Sequence, residues 1–146
     1  MAAEQSKKWE PINFVFYLSL VKWPVLAAVL AEILLRWLIG RFLDDWSLGR
    51  IDLLMWLVRL AALFFIGWRI GKAYGEVPPM GATAGATAGF LIGLAAAVFR
   101  FNGGFHTWKI FNLITEPALT VLVGGLAVFL VVYIWDLLPK GGKIEL

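Results

Sequence analysis

The chain has 146 residues, of which 61% are hydrophobic and only 16% are charged. Soluble domains are about half apolar and about a quarter charged, so this chain has more apolar surface than a small soluble fold can bury. Cysteine is absent, which excludes disulfides, thiolate metal sites and cysteine nucleophiles. The net charge of +3 is typical of loop lysines and arginines that face anionic lipid. No basic tract interleaved with aromatics accompanies it, so nucleic acid is not an expected partner.

Four apolar segments predict an all-α fold, an integral membrane bundle of four transmembrane helices that forms a single domain over residues 1–146. About 20 helical residues span the roughly 30 Å hydrocarbon core of a bilayer, and each segment reaches that length. The expected crossings are 24–43, 51–74, 80–101 and 117–138. The lipid bilayer is therefore the first expected partner.

The segments before the first and fourth crossings leave room for short interfacial helices. Residues 12–21 either lie partly in the interface or extend the first crossing across Pro24 into one long tilted helix. Residues 107–114 are expected to form a short interfacial helix. Thr115 or Glu116 is then expected to cap the fourth crossing, with Pro117 in its first turn.

The tryptophans support four crossings, because tryptophan prefers the two membrane interfaces and four helices divide these residues evenly. The terminal side receives Trp9, Trp23, Trp68 and Trp135, and the other side receives Trp37, Trp46, Trp56 and Trp108. Lysine and arginine are slightly in excess on the terminal side, where Lys7, Lys8, Arg69, Lys72, Lys140 and Lys143 fall. Both termini are therefore expected in the cytoplasm, with the chain in the cell or inner membrane.

Glycine recurs every fourth residue on the second and third crossings. Residues four apart share one face of a helix, and small side chains allow the close backbone contact that holds membrane helices together. The two series are Gly67, Gly71 and Gly75, and Gly81, Gly85, Gly89 and Gly93. Gly75 is also a candidate C-cap, because the prolines at 78 and 79 cannot continue the second helix. The spacing predicts close helix packing and leaves three interpretations open: packing within the chain, contact with a second copy, or the lining of a pore.

A cluster of three charges is expected near the middle of the membrane. If tryptophans mark the two interfaces, the middle of the first crossing lies halfway between Trp23 and Trp37, and Glu32 is about 3 Å from it. The middle of the second lies halfway between Trp56 and Trp68, and Arg59 is about 4.5 Å from it, toward the same side. A short turn makes these helices antiparallel neighbours, so the two side chains can meet, and Arg36 can join them from one turn away. Because each isolated charge at that depth costs about 2.5–3.5 kcal/mol, pairing is expected. The cluster either fixes helix register or serves a substrate, ion or partner.

No motif of enzymatic chemistry is present. His106 is the only histidine, and a metal site would need several companions. The sequence has no G-x-S-x-G elbow, phosphate-binding loop or HExxH helix. No enzyme activity, metal or cofactor is therefore expected.

A structural or accessory membrane protein is the first function that these features favour. Such a subunit would pack through its glycine series against a second copy, as a homo-oligomer, or against another membrane protein. The loops are minimal, and the sequence has no segment outside the membrane that is large enough to carry a separate activity.

A small transporter is the alternative, and it rests on a resemblance. Segment 28–32, with the sequence AVLAE, resembles the first helix of the small multidrug resistance exporters, and Pro78 and Gly81 are similar to the start of their third helix. The resemblance implies a proton-coupled transporter in which Glu32 exchanges protons for cationic drugs. The family differs in placing aromatic residues on the third helix and in lacking arginines near its glutamate.

Overall fold

The computed structural model describes residues 13–42, 48–75, 77–100 and 106–137. Within them the chain forms four helices: α1 (Phe14–Phe42), α2 (Leu48–Tyr74), α3 (Pro78–Arg100) and α4 (His106–Leu137). Each is long and apolar enough to cross a membrane, so the predicted all-α bundle of four transmembrane helices is confirmed. Residues 43, 101 and 138, at the ends of three predicted crossings, lie outside the described residues, as do Trp9, Trp46, Lys7, Lys8, Lys140 and Lys143.

The first helix is continuous across Pro24, so residues 14–21 extend the first crossing without a break. Its start is capped by Asn13, whose Oδ1 accepts a hydrogen bond from the backbone N–H of Phe16 at 3.1 Å. A side-chain oxygen in this position satisfies a backbone donor that has no partner in the first turn. Of the two arrangements left open by the sequence, the structure adopts the long helix.

The fourth helix also continues through its proline. Thr115, Glu116 and Pro117 lie inside α4, and residues 107–114 are continuous with the crossing instead of forming a separate helix. Next to the proline, Thr120 Oγ1 donates to the carbonyl oxygens of Glu116 at 2.7 Å and Pro117 at 3.1 Å. Thr115 and Glu116 thus lie well inside the helix and not at its first turn. The expected cap at Thr115 or Glu116 is therefore wrong.

Neighbouring helices in sequence run in opposite directions. We call the end at which α1 begins and α4 ends the terminal end, and the opposite end the loop end. In the described part of the chain α1 and α4 each contact both α2 and α3, whereas α1 and α4 do not approach each other. The four helices thus form a ring in which α1 and α4 are diagonally opposed, with the apolar core enclosed between them.

Gly75 makes the turn between α2 and α3. It follows the last residue of α2 with a φ of +71°, and its N–H donates to the Gly71 carbonyl at 3.1 Å. Glycine adopts this left-handed conformation without the steric cost that a Cβ imposes, and it commonly ends helices in this way. Nothing lies within 4 Å of a Cβ built at Gly75. Gly75 therefore terminates a helix and does not pack against one.

The glycines of α3 bring its backbone against that of α4. A Cβ added at Gly85 would overlap the carbonyl oxygen of Gly124, and one added at Gly89 would overlap the carbonyl oxygen of Thr120. Gly81 and Gly93 face the same helix. Gly124 is the counterpart on α4, since a Cβ there would overlap the Gly85 carbonyl oxygen. Lipid supplies no hydrophobic drive between helices, so this close approach gains its stability from van der Waals contact.

The glycines of α2 pack mainly against side chains of α4 and not against its backbone. A Cβ at Gly67 would lie 2.7 Å from the Cβ of Val131, and one at Gly71 would lie 2.8 Å from Cγ of Trp135. Both partners belong to α4. Of the three interpretations of the glycine spacing, packing within the chain is the one that these contacts match.

We expect Gly89→Ala to lower the free energy of unfolding by about 1–3 kcal/mol, or more if α4 cannot shift, because overpacking strains both helices. Gly40→Ala is the matched control, since nothing lies within 4 Å of a Cβ at that position. Reversible unfolding in mixed micelles measures both variants. Equal stability of the two would contradict the close α3–α4 contact.

Candidate functional site

Arg59 on α2 lies at the centre of a buried charge network, which comprises Glu32, Arg59 and Glu116. Arg59 Nε donates to Glu32 Oε1 at 2.6 Å, and Nη2 donates to Glu32 Oε2 at 3.2 Å. This two-bond arrangement matches the planar guanidinium to the planar carboxylate. Glu32 is 3% exposed and Arg59 is 1% exposed. The predicted pairing of these two residues across α1 and α2 is confirmed.

Glu116 on α4 is the third member, and the sequence did not indicate it as a partner of Arg59. Its Oε1 accepts a hydrogen bond from Arg59 Nη1 at 2.7 Å, and the residue is 8% exposed. The adjacent Pro117 had suggested a helix start at the interface. If α4 is read from the sequence as one continuous helix, Glu116 and Arg59 lie at similar distances from the loop ends of their helices. This equal depth is the signal that would have indicated Glu116 as a partner of Arg59.

The network lies deep inside the bundle. Each of its residues is separated from the loop end of its helix by about ten residues, which is roughly 15 Å of helix rise. Ionised groups at such depth are expensive in lipid unless they are paired. The Trp56 ring adds a further favourable contact, since Arg59 Cζ lies 5.1 Å from its centroid.

Arg59 connects two helices that otherwise stay apart. Over the described ranges, α1 and α4 have no close backbone approach, yet Glu32 belongs to one and Glu116 to the other. The guanidinium therefore acts as a bridge across the diagonal of the bundle. Together with the glycine contacts between α3 and α4, it links all four helices.

Arg36 does not join the hydrogen bonds of the network. Its Nε and Nη2 are buried and have no hydrogen-bond partner among the residues that the structure describes. The predicted cluster of Glu32, Arg36 and Arg59 is thus replaced by one in which Glu116 takes the place of Arg36. Two carboxylates share one guanidinium, and the positive charge of Arg36 lies one helical turn from Glu32.

The network offers few options for other chemistry. In the described ranges, no group of three or more histidine, cysteine, aspartate or glutamate side chains could hold a metal ion. The guanidinium nitrogens of Arg59 all donate to carboxylates. The arrangement can hold α1, α2 and α4 in fixed positions relative to one another.

Comparison of the chain with protein-family models, curated proteins and solved structures finds no match in any of the three. Its function must therefore be inferred from its own residues.

We expect Arg59→Gln to be the most destabilising single change in the network, by about 3–5 kcal/mol, because it removes the charged group that hydrogen-bonds to two buried carboxylates. Glu32→Gln should cost less, since Arg59 keeps its bond to Glu116. The double variant should lose less than the sum of the two single losses, because the substituted residues are in contact. Unfolding in detergent micelles measures all three.

Arg50→Gln is the matched control, because Arg50 is an exposed arginine on the same helix. It should unfold like the unmodified protein. If Glu32→Gln proved as stable as Arg50→Gln, the ion pair would contribute nothing to the fold, contrary to this account.

Proposed function

We propose that this chain is a small structural or accessory membrane protein that presents a fixed surface to a second copy or to another membrane protein. The charge network is the main support for the proposal, because its charged groups hydrogen-bond to one another and join helices of the same chain. A bundle held in this way keeps the shape of its outer surface. An accessory subunit needs an outer surface of constant shape, because its partner must recognise that surface.

Burial of the network supports a structural role over a site that a substrate must reach. All three residues are less than a tenth exposed. The bidentate pair and the second carboxylate satisfy the guanidinium, and fully satisfied polar groups tend to make a buried network rigid. A substrate site would need at least one of these groups to face an opening.

The surface available for association is apolar. Large side chains are exposed on all four helices, among them Leu30, Phe64, Phe90 and Leu122. The glycines of α3 are occupied by α4, so contact with another protein would use this outer face and not the α3 series. Lipid covers whatever part of it no protein covers.

We expect the chain to leave its native membrane in a complex of fixed stoichiometry. The measurement is native mass spectrometry of the tagged chain, expressed at its natural level and extracted with surrounding lipid in polymer-bounded discs. Arg59→Gln should lose the complex, and Arg50→Gln should retain it. A chain that is monomeric and free of protein partners over a wide concentration range contradicts the proposal.

A proton-coupled transporter is the second candidate, favoured by one observation. Two carboxylates share one guanidinium, so one of them can accept a proton while the other keeps an ion pair. The resemblance of segment 28–32 to the small multidrug resistance exporters points to Glu32 as the proton carrier.

This candidate predicts proton release from liposomes when a lipophilic cation such as tetraphenylphosphonium is added. Glu32→Gln should abolish the release while the protein still folds. Glu116→Gln is the matched variant, which removes the other carboxylate and should leave Glu32 able to exchange. Absence of cation-driven proton release from the unmodified protein would rule the transporter out for that cation.

A further inference from the structure

An open groove of about 510 Å³ lies between α1 and α2, on the outside of the bundle. Its concave part is formed by small side chains, because Ala27 and Ala31 of α1 and Ala62 of α2 leave the space between the helices unfilled. Phe65 forms part of the wall, and Trp23 and Arg69 lie at one end. The groove is apolar along its length and has a cation at its mouth.

The length and position of the groove match one lipid leaflet. From Trp23 to Ala31 the helix rises about 12 Å, and one leaflet contributes about 15 Å of hydrocarbon, half of the bilayer core. Trp23 is 65% exposed, and tryptophan is favoured at the membrane interface. The groove therefore runs from the interface at the terminal end toward the bilayer centre, along the direction of an acyl chain.

The charge at the mouth is positive. Arg69 is exposed and makes no hydrogen bond or ion pair within the described part of the chain. Lys22 lies at the same level, with Nζ 5.8 Å from the centroid of the Trp23 ring. The only acidic residues of α1 and α2 are Glu32 and Asp52, and neither lies in the half of its helix near the terminal end. Nothing acidic on these two helices competes for the cations.

We propose that this groove binds one anionic phospholipid, with an acyl chain along the alanines and the phosphate group at Arg69. The guanidinium suits a phosphate because two parallel N–H donors can reach two of its oxygens. Lys22 adds a second positive charge beside the headgroup. The deep end of the groove reaches Ala31 and Val58, the residues immediately before Glu32 and Arg59, so the bound chain supports α1 and α2 where their ion pair forms.

The test is native mass spectrometry of the purified full chain in mild detergent, titrated with dioleoyl phosphatidylglycerol or with phosphatidylcholine of the same chains. One phosphatidylglycerol should bind in preference to phosphatidylcholine. Arg69→Gln should weaken phosphatidylglycerol binding by about tenfold or more, the loss typical of one charge-assisted hydrogen bond. Arg50→Gln, an exposed arginine at the loop end of α2, should bind like the unmodified protein.

A second pair of variants tests the acyl-chain part of the site without changing charge. Ala27→Leu fills the groove and should weaken binding of phosphatidylglycerol, whereas Ala61→Leu, at an exposed position on α2 outside the groove, should not. Undiminished binding by both Arg69→Gln and Ala27→Leu would overturn the proposal. So would a change in oligomeric state in Ala27→Leu with lipid binding unaltered, because the occupant would then be a second copy of the chain.

Discussion

The bundle depends on one arginine that is held by carboxylates from two other helices. A guanidinium far from water is stable only if its charge and its donors are matched locally, and Arg59 meets this requirement through Glu32 and Glu116. The requirement fixes the axial position of α1, α2 and α4 relative to one another, since a slip of one helical turn, about 5.4 Å, would break the bonds. Apolar contact alone would allow such slips at little cost.

The glycine contacts differ from the charge network, because they act through short-range van der Waals attraction and join α3 to α4. They let the backbones of α3 and α4 meet, and every residue along that line contributes van der Waals attraction. The charge network has few bonds with strict geometry, whereas the α3–α4 interface has many weak contacts with loose geometry. Because α4 takes part in both, it connects the charge network to the close α3–α4 interface.

The sequence predicted the helices and the pair of Glu32 with Arg59, because apolar length, tryptophan positions and a short connecting turn fix depth and neighbours. It did not predict Glu116 as a partner. A proline at the start of a helix and a proline inside a membrane helix look alike in sequence, so Glu116 beside Pro117 fits a helix start as well as a position within the membrane. The glycine spacing indicated close approach but not the partner, since a small-residue face fits any backbone. Gly75 has the same spacing but does not pack against a helix, whereas its predicted role as the C-cap of α2 is confirmed.

The order of the network along the chain bears on how the protein enters the membrane during synthesis. Arg59 and Glu32 are 27 residues apart in sequence, whereas Arg59 and Glu116 are 57 apart. The first hairpin thus contains the complete Glu32–Arg59 ion pair before the ribosome has made the fourth helix, so Arg59 can enter the membrane with its charge already matched by Glu32. Glu116 is synthesised last, and the positive charge of Arg59, already in the membrane, offsets the cost of inserting this carboxylate with α4.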